Sequence, residues 1–248
     1  MIMNLSEATQ VKFPLCFRDV HYMALLYKAD KKETTKHLEK TGLKPALYWL
    51  GKPVVAVGLI QYKDSDLGAY DEIIVSVPVV LETCKSGNIS NWLDLYAGFE
   101  NRKGGQYIIH IPVTSQVSVN GGRNLWGYPK ILAPLEHHFT QNKIDSQFMV
   151  SSDNVQIQWQ GQLGMGIPIP AMNLMTYSFL NGSLMKTHVD VKANMKWFPF
   201  AKVKLNINSE ETTMAKDMKA MGLDRSNPIA VLGAEKFSAR FHAPEKIN

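Results

Sequence analysis

One lysine of this chain stands in a segment with almost no other charge. Lys130 ends the run Asn120-Gly-Gly-Arg-Asn-Leu-Trp-Gly-Tyr-Pro-Lys130, and the nearest charged residues in sequence are Arg123 and Glu136. A lysine amine attacks a ketone only when it is neutral, whereas an ordinary lysine, with a pKa of about 10.4, is protonated at neutral pH. A low dielectric disfavours the ammonium form, so burial among apolar groups activates an amine as a nucleophile.

The neighbours of Lys130 are of the kind that would desolvate it. Trp126, Tyr128 and Ile131 are all apolar or aromatic, and Pro129 with the glycines restricts the turn that directs the lysine side chain. A solvated lysine on a surface turn has similar neighbours. Two interpretations therefore stay open, a buried nucleophile and a surface amine.

Other catalytic chemistries find less support in the sequence. Glu136-His137-His138 contains metal-ligating residue types, but adjacent residues on a strand point to opposite faces, so both histidines would not bind one ion. No Gly-x-Ser-x-Gly motif and no Gly-rich phosphate loop is present. Cys16 and Cys84 are too few for a disulfide framework, and we expect reduced thiols in the core. We predict neither a metal nor a cofactor.

The composition is that of an ordinary globular protein. The chain has 248 residues, 45% of them hydrophobic and 20% charged, which is enough to bury a catalytic pocket. The net charge of +5 comes from scattered basic residues without a recognition motif, so we expect no nucleic-acid partner. A mild positive field favours small anionic substrates.

Hydropathy gives no sign of a membrane protein. No window approaches the ~18 consecutive apolar residues of a transmembrane helix. The N-terminal stretch MIMNLSEATQVKFPLCF lacks the basic-then-apolar order of a signal peptide. We expect a cytoplasmic protein with no membrane partner.

Strand patterns are more frequent than helix patterns. Four runs are rich in β-branched and aromatic residues and are predicted as strands: Val54–Ile60, Ile73–Leu81, Gln106–Val113 and Val155–Trp159. The last of them alternates between apolar and polar residues, so one of its faces should be exposed to water. Because no alternating strand–helix rhythm is seen, the pattern favours a largely antiparallel α+β fold or a closed barrel. No linker is recognisable, so residues 1–248 are interpreted as one domain.

Two helices carry start and stop signals. Asp30 is a predicted N-cap with Glu33 three residues on, and Gly42 is the predicted stop. Ser209 is the predicted cap of a second helix that ends at Gly222. The methionines of that helix, at helical spacing, are interpreted as core packing; they are Met214, Met218 and Met221.

The lysine segment resembles a known family. Gly122-Arg-Asn-Leu-Trp-Gly-Tyr-Pro-Lys130 is similar to the Gly-Arg-Glu…Tyr-Pro-Lys segment of the acetoacetate decarboxylase family, and Leu67-Gly-Ala-Tyr-Asp-Glu72 is similar to its Gly-x-Tyr-x-Glu. Pro170-Ala-Met-Asn-Leu with Asn181-Gly-Ser183, and Tyr27-Lys-Ala-Asp30, resemble further family segments in the same order. Ile131 stands where the family has a second lysine, directly after the nucleophile.

The resemblance implies a fold and a set of site residues. The implied fold is a β-rich α+β fold, a mostly antiparallel curved sheet closed into a barrel or cone with short peripheral helices, assembled as a homo-oligomer. Lys130 would form a Schiff base with the substrate ketone, and Glu72 would position the substrate or relay protons. Arg18 would pair with the substrate carboxylate, although it lies about two residues out of register with the family's arginine. Trp126 and Tyr128 are assigned to substrate binding.

Each assignment has an alternative that the sequence leaves open. Glu72 could be a solvated loop carboxylate, and Arg18 a surface arginine. Arg123 is better interpreted as a structural residue that binds backbone carbonyls of the turn. The expected function is cofactor-independent decarboxylation of a short β-keto acid. The alternatives are a Schiff-base aldolase or dehydratase acting on pyruvate-like carbonyl compounds, and a non-catalytic keto-acid binder.

Overall fold

Strands make up most of the structure, a computed structural model that describes residues 12–85, 87–151 and 154–247. The strands of these residues are β1 (Leu15–Lys28), β2 (Leu43–Pro45), β3 (Tyr48–Trp49), β4 (Lys52–Ser65), β5 (Tyr70–Leu81), β6 (Gly105–Val113), β7 (Lys130–Leu132), β8 (Leu135–Phe139), β9 (Lys143–Ser151), β10 (Asn154–Gln162), β11 (Ile167–Pro168), β12 (Leu174–Leu180), β13 (Ser183–Ala193), β14 (Lys196–Trp197), β15 (Lys202–Ile207), β16 (Ala230–Phe241) and β17 (Glu245–Lys246). The helices are α1 (Lys31–Lys36), α2 (Asn88–Asp94), α3 (Gln116–Gly121) and α4 (Thr213–Ala220), with a π-helical turn over Gly122–Trp126 and a 3-10 turn over Leu223–Arg225. The stretch in which a signal peptide would begin, residues 1–11, lies outside the described residues.

Seven strands close into a barrel. Their order around the barrel is β16, β1, β4, β5, β6, β12 and β13, and the pairing of β13 with β16 completes the ring. Neighbours in the ring are antiparallel except β6 and β12, which run parallel. The predicted fold class, a mostly antiparallel sheet closed into a barrel with short peripheral helices, is confirmed.

The two longest apolar runs became central strands of this barrel. The predicted strands at 54–60 and 73–81 lie within β4 and β5, and all their residues except Ser76 are apolar because both faces are buried. Val57 and Val75 pack outward into a core shared with a second sheet, whereas Ile60 and Ile74 face the other way. Successive side chains of one strand thus point into two different apolar environments.

The second sheet covers one side of the barrel. It contains β15, β10, β9 and β8 in that order. Trp159 of β10 is fully buried, as the alternating pattern predicts, and Met214 and Met218 of α4 lie in the same core. Gln156 does not follow the pattern, because its buried amide donates to Ser209 Oγ at 3.0 Å.

The helix signals were partly right. Asp30 caps α1, and its carboxylate accepts the Glu33 N–H at 3.0 Å, but the helix proper is only one and a half turns long before a turn that leads to Gly42. Ser209 is not the cap of α4. Thr212 takes that position, with its hydroxyl accepting the Ala215 N–H at 3.3 Å. Within the described part of the chain, no helix is both long and apolar enough to span a bilayer.

Candidate active site

Lys130 leaves a tight turn at the first position of β7. The π-helical turn ends at Gly127, whose φ of 71° lies in the left-handed region that glycine adopts without strain. A Cβ on Gly127 would lie 2.1 Å from the carbonyl oxygen of Phe179, so no side chain fits between this turn and β12. β7 then pairs with β6, which places Lys130 beside Ile111. The turn thereby points the lysine into the barrel.

Lys130 and Glu72 form a buried ion pair. The Lys130 amine lies 2.5 Å from Glu72 Oε2 and 2.8 Å from Ser118 Oγ. The two charged side chains are 6% and 2% exposed. Tyr62 donates its hydroxyl to the other carboxylate oxygen at 3.0 Å. The structure therefore brings together the two residues predicted to be catalytic, and neither is a solvated surface group.

Two tyrosines cover the pair. The Lys130 amine lies 5.3 Å from the centre of the Tyr70 ring, and Tyr70 stacks on Tyr62 with ring centres 4.4 Å apart. Burial, together with the negative charge of Glu72, raises the pKa of both hydroxyls well above the usual value of 10. Both tyrosines thus stay neutral, and they can donate hydrogen bonds without competing for the proton of the lysine.

This arrangement can supply a neutral amine. Two charges taken out of water carry a large desolvation penalty, which disappears when the Lys130 proton moves to Glu72. The two atoms are already at hydrogen-bond distance, so this transfer requires no rearrangement. The products are an amine that can attack a carbonyl carbon and a carboxylic acid that can protonate a leaving hydroxyl.

The pair lies at one end of a cavity of about 460 Å³ inside the barrel. Trp126 and Tyr128 line this cavity, and their rings are nearly parallel with centres 5.8 Å apart. The Trp126 Nε1–H donates to the carbonyl of His242 at 2.9 Å, and the Tyr128 hydroxyl is 2.7 Å from Thr176 Oγ1. The polar atoms of both residues are thus bound within the protein, and both residues line the cavity.

Residues 3–157 match the family model described as acetoacetate decarboxylase (ADC). The chain belongs to the acetoacetate decarboxylase family. No curated protein sequence matches the chain.

Solved structures of the same fold include several relatives. An acetoacetate decarboxylase from Legionella pneumophila subsp. pneumophila str. Philadelphia 1 superimposes with a TM-score of 0.71 at 14% identity, over 98% of this chain and 93% of that one. The enduracididine biosynthesis enzyme MppR, complexed with pyruvate, superimposes with a TM-score of 0.66 at 10% identity, over 100% of this chain and 98% of that one. An acetoacetate decarboxylase-like enzyme from Sphingomonas wittichii RW1 superimposes with a TM-score of 0.67 at 11% identity, over 100% of this chain and 98% of that one. At these identities the likeness concerns the fold alone.

Arg18 does not reach the site of this family member. Its guanidinium binds Asp64 at 2.7 Å and Asp66 at 2.6 Å, and its side chain is 49% exposed. Because β1 directs Arg18 away from the barrel interior, its assignment to the substrate carboxylate is wrong. Alignment with the family's arginine could not reveal on which face of β1 the Arg18 side chain lies.

Arg102 is the arginine that lines the cavity, and sequence reasoning missed it. It is 8% exposed, and its terminal nitrogens donate to the carbonyls of Asn173 and Leu95. Its Nε–H has no partner among the described residues, and burial lowers the pKa of the guanidinium. In sequence, Arg102 and Lys103 look like an ordinary basic pair in a loop.

Three further predictions concern the lysine turn and the cysteines. Arg123 donates from Nε to the carbonyl of Lys130 at 2.6 Å, which confirms its structural interpretation. Ile131 is 43% exposed because it follows Lys130 on a strand and points to the opposite face. The expectation that Ile131 desolvates the amine is therefore wrong. Cys16 and Cys84 are of intermediate burial and are not core residues.

Ser118 and Gly122 position the lysine. The sequence pointed to the glycines of the turn in general, but not to Ser118 or to the contact between Gly122 and the lysine stem. Ser118 is fully buried on α3, one turn before the lysine turn begins. Gly122 follows at the end of that helix, and a Cβ there would lie 2.5 Å from Lys130 Cδ and 2.7 Å from Cε. Only glycine leaves room for the stem of the lysine.

Gly122→Ala should slow imine formation by roughly 100-fold, because displacement of a reacting group by about 1 Å has effects of that size. The Gly122 backbone, with φ −61° and ψ −43°, suits any residue, so the expected loss of stability is only the cost of overpacking against the lysine stem, about 1–3 kcal/mol. The rate of borohydride trapping with a ketone and the unfolding temperature would be measured together. Gly98→Ala, where a Cβ meets nothing within 4 Å, is the matched control. An unchanged trapping rate would show that the lysine stem is not held by this contact.

The Glu136-His137-His138 segment does not gather both histidines at one point. His138 is exposed, whereas His137 is 4% exposed on the other face of β8. His137 Nε2 lies 3.1 Å from the backbone carbonyl of Glu72, and its Nδ1 lies 2.8 Å from Ser146 Oγ. His137 thus supports the strand that carries Glu72. Among the described residues, no group of three or more His, Cys, Asp or Glu side chains is arranged to hold a metal ion.

Acid should destabilise the fold through His137. Burial lowers the pKa of His137 to about 4 from its usual 6.5, so the unfolded chain takes up this proton first as pH falls. The stabilisation is present above pH 6.5 and is lost towards pH 4, by up to roughly 3 kcal/mol. The free energy of unfolding would be measured with denaturant at pH 6.5 and at pH 4. It should fall less between these two pH values for His137→Gln than for the wild type. His138→Gln is the control, and equal losses in all three proteins would contradict this prediction.

Proposed function

We propose that the protein is a cofactor-independent decarboxylase of β-keto acids that works through an imine on Lys130. The observation that carries the proposal is the lysine amine, buried at the end of an apolar cavity and in contact with Glu72 and Ser118. Membership of the acetoacetate decarboxylase family supports an enzyme of the Schiff-base type.

Imine formation would begin with proton transfer from Lys130 to Glu72. The neutral amine adds to the ketone carbon, and the resulting hydroxyl leaves as water after taking a proton from the Glu72 carboxylic acid. Ser118 Oγ, 2.8 Å from the amine, accepts a hydrogen bond that fixes the direction of attack. The product is a cationic imine beside a Glu72 carboxylate that offsets its charge.

Loss of CO2 would follow from the charge of this imine. The electron pair of the breaking carbon–carbon bond moves into the iminium group, which leaves a neutral enamine. The positive and negative charges of the substrate disappear in this step, and the apolar walls favour such a change because they solvate separated charges poorly. Among the described residues that line the cavity, Glu72 carries the only carboxyl group. It is a carboxylate at this stage, so in the proposed step it takes up a proton from water and passes that proton to the enamine carbon, and the resulting imine is hydrolysed.

A carbon–carbon bond-forming reaction on a pyruvate-like substrate is the second candidate. Within the described lining of the cavity, the only cation besides Lys130 is Arg102, whose terminal nitrogens already donate to backbone carbonyls. A substrate carboxylate thus finds no second free cation beside the amine. One structure of similar fold is MppR complexed with the condensation product of pyruvate and imidazole 4-carboxaldehyde.

Two parallel measurements distinguish the candidates. CO2 release from acetoacetate would be followed in one, and borohydride trapping with pyruvate in the other, each with wild type and Lys130→Met. The proposal predicts CO2 release that depends on Lys130. Trapping without CO2 release would favour the aldol-type reaction, and keto-acid binding without trapping would favour a non-catalytic binder.

A further inference from the structure

The cavity extends far beyond the space beside Lys130. On β5, Glu72, Ile74, Ser76 and Pro78 point to the barrel interior in succession. With a rise of about 3.4 Å per residue, the distance along the strand from Glu72 to Pro78 is roughly 20 Å. The reacting amine therefore lies at the end of a long channel.

Small side chains keep this channel open. Gly58 of β4 pairs with Ile74, and Ala24 of β1 pairs with Gly58. One step further along, Ala56 pairs with Ser76. The interior of a small barrel is normally filled by side chains at such levels. A Cβ added to Gly58 would meet nothing closer than 3.5 Å, so the space is unoccupied by protein and is not closed by tight packing.

The lining of the channel beyond the ion pair is mainly apolar, and Arg102 is the one charged side chain there among the described residues. Side chains that contribute to it are Leu26, Leu47, Ile60, Ile108, Leu232 and Phe237. Ser76 donates its hydroxyl to Gln106 Oε1 at 3.0 Å, so this polar pair is satisfied internally. The far end is bordered by Trp92 and Leu95, followed by Tyr96, which is 54% exposed.

Size and polarity argue against a ligand as small as acetoacetate. A volume of about 460 Å³ falls among pockets for drug-sized ligands, roughly 300–1,000 Å³, and corresponds to about fifteen water molecules at ~30 Å³ each. Apolar walls give those waters few hydrogen-bond partners. Acetoacetate has only a methyl group beyond its ketone, and it would leave most of the channel unfilled.

We propose that the carbonyl substrate of Lys130 carries an extended apolar group, an alkyl chain or a ring system, that lies along Gly58 and Ala56. This inference rests on the proposed imine at Lys130, which fixes the position of the carbonyl carbon. Burial of each further methylene should raise affinity roughly fourfold until the channel is filled.

Chain length is the variable that tests the inference. The affinity of the purified protein for methyl ketones, from acetone to methyl octyl ketone, would be measured by calorimetry, and Lys130 adducts would be trapped with borohydride in the same series. Affinity should rise by about 1,000-fold or more from the shortest to the longest ketone. Ala56→Leu and Gly58→Val, which fill the channel, should reduce the ratio of long-chain to short-chain affinity at least tenfold. Ala220→Leu, on the exposed face of α4, should leave the ratio unchanged.

The outcomes separate this inference from the proposed function. Equal affinity for short and long ketones, or a ratio that Ala56→Leu and Gly58→Val do not change, would overturn the inference even if Lys130 is trapped. Length-dependent binding without any trapped adduct would overturn the imine and leave the channel as a binding site for apolar carbonyl compounds.

Discussion

Lys130→Met should abolish covalent trapping by ketones and reduce turnover by at least about 10⁴-fold. The reason is chemical, because the imine needs a primary amine, and among the described residues that line the cavity no other lysine is present. Methionine keeps the length and apolar stem of lysine, so the packing against Gly122 should be retained. The measurements are steady-state turnover of the best β-keto acid and mass spectrometry of borohydride-treated protein.

Folding of the Lys130→Met protein must be checked separately. Glu72 loses its cation in this variant but can take up a proton and remain bound to Tyr62. Lys130→Arg is the second variant, since it keeps the positive charge but cannot form an imine. Residual activity within tenfold of the wild type in either folded variant would exclude Lys130 as the nucleophile.

Glu72→Gln should have two large effects, on stability and on catalysis. The change leaves Lys130 buried without an anion, and breaking a buried ion pair from one side costs about 3–5 kcal/mol. The same change removes the group that takes the proton from the amine, which should slow imine formation by roughly 10²–10⁴-fold. Denaturant unfolding and the rate of borohydride trapping measure the two effects.

A double variant distinguishes pairing from packing. Glu72→Gln combined with Lys130→Met removes both charges, and it should recover most of the stability lost in Glu72→Gln alone. Asp64→Asn, which weakens the exposed pair with Arg18, should change stability by less than about 1 kcal/mol. Equal stability of Glu72→Gln and the wild type would show that the lysine is not charged and paired in the resting protein.

The strands could be predicted from local pattern, whereas closure of the barrel could not. The runs within β4 and β5 are apolar at every position except Ser76, which marks strands buried on two faces but does not say against what they pack. Closure depends on the pairing of β13 with β16, between segments about 50 residues apart. The strand pattern left a closed barrel as one of two alternatives, and the family resemblance selected it.

Site residues that stand in family-like segments could be predicted from the sequence. Site residues whose contacts depend on strand register or helix direction could not. Lys130 and Glu72 stood in family-like segments, and their separation of 58 residues is bridged by the barrel. Tyr62 reaches Glu72 only because β4 and β5 pair Tyr62 with Tyr70. Ser118 depends in the same way on the path of α3 into the lysine turn. Such contacts follow from strand pairing and helix direction, which a single sequence does not specify.

Trapping of the imine is the most direct test of Lys130 as the nucleophile. The protein would be incubated with acetoacetate or a longer methyl ketone, reduced with borohydride, digested and analysed by peptide mass spectrometry. A mechanism through Lys130 predicts one reduced adduct on the peptide that contains Lys130, its absence in Lys130→Met, and a slower appearance in Gly122→Ala. A label on another lysine, or no label with any ketone on a protein that binds ketones, would contradict this mechanism.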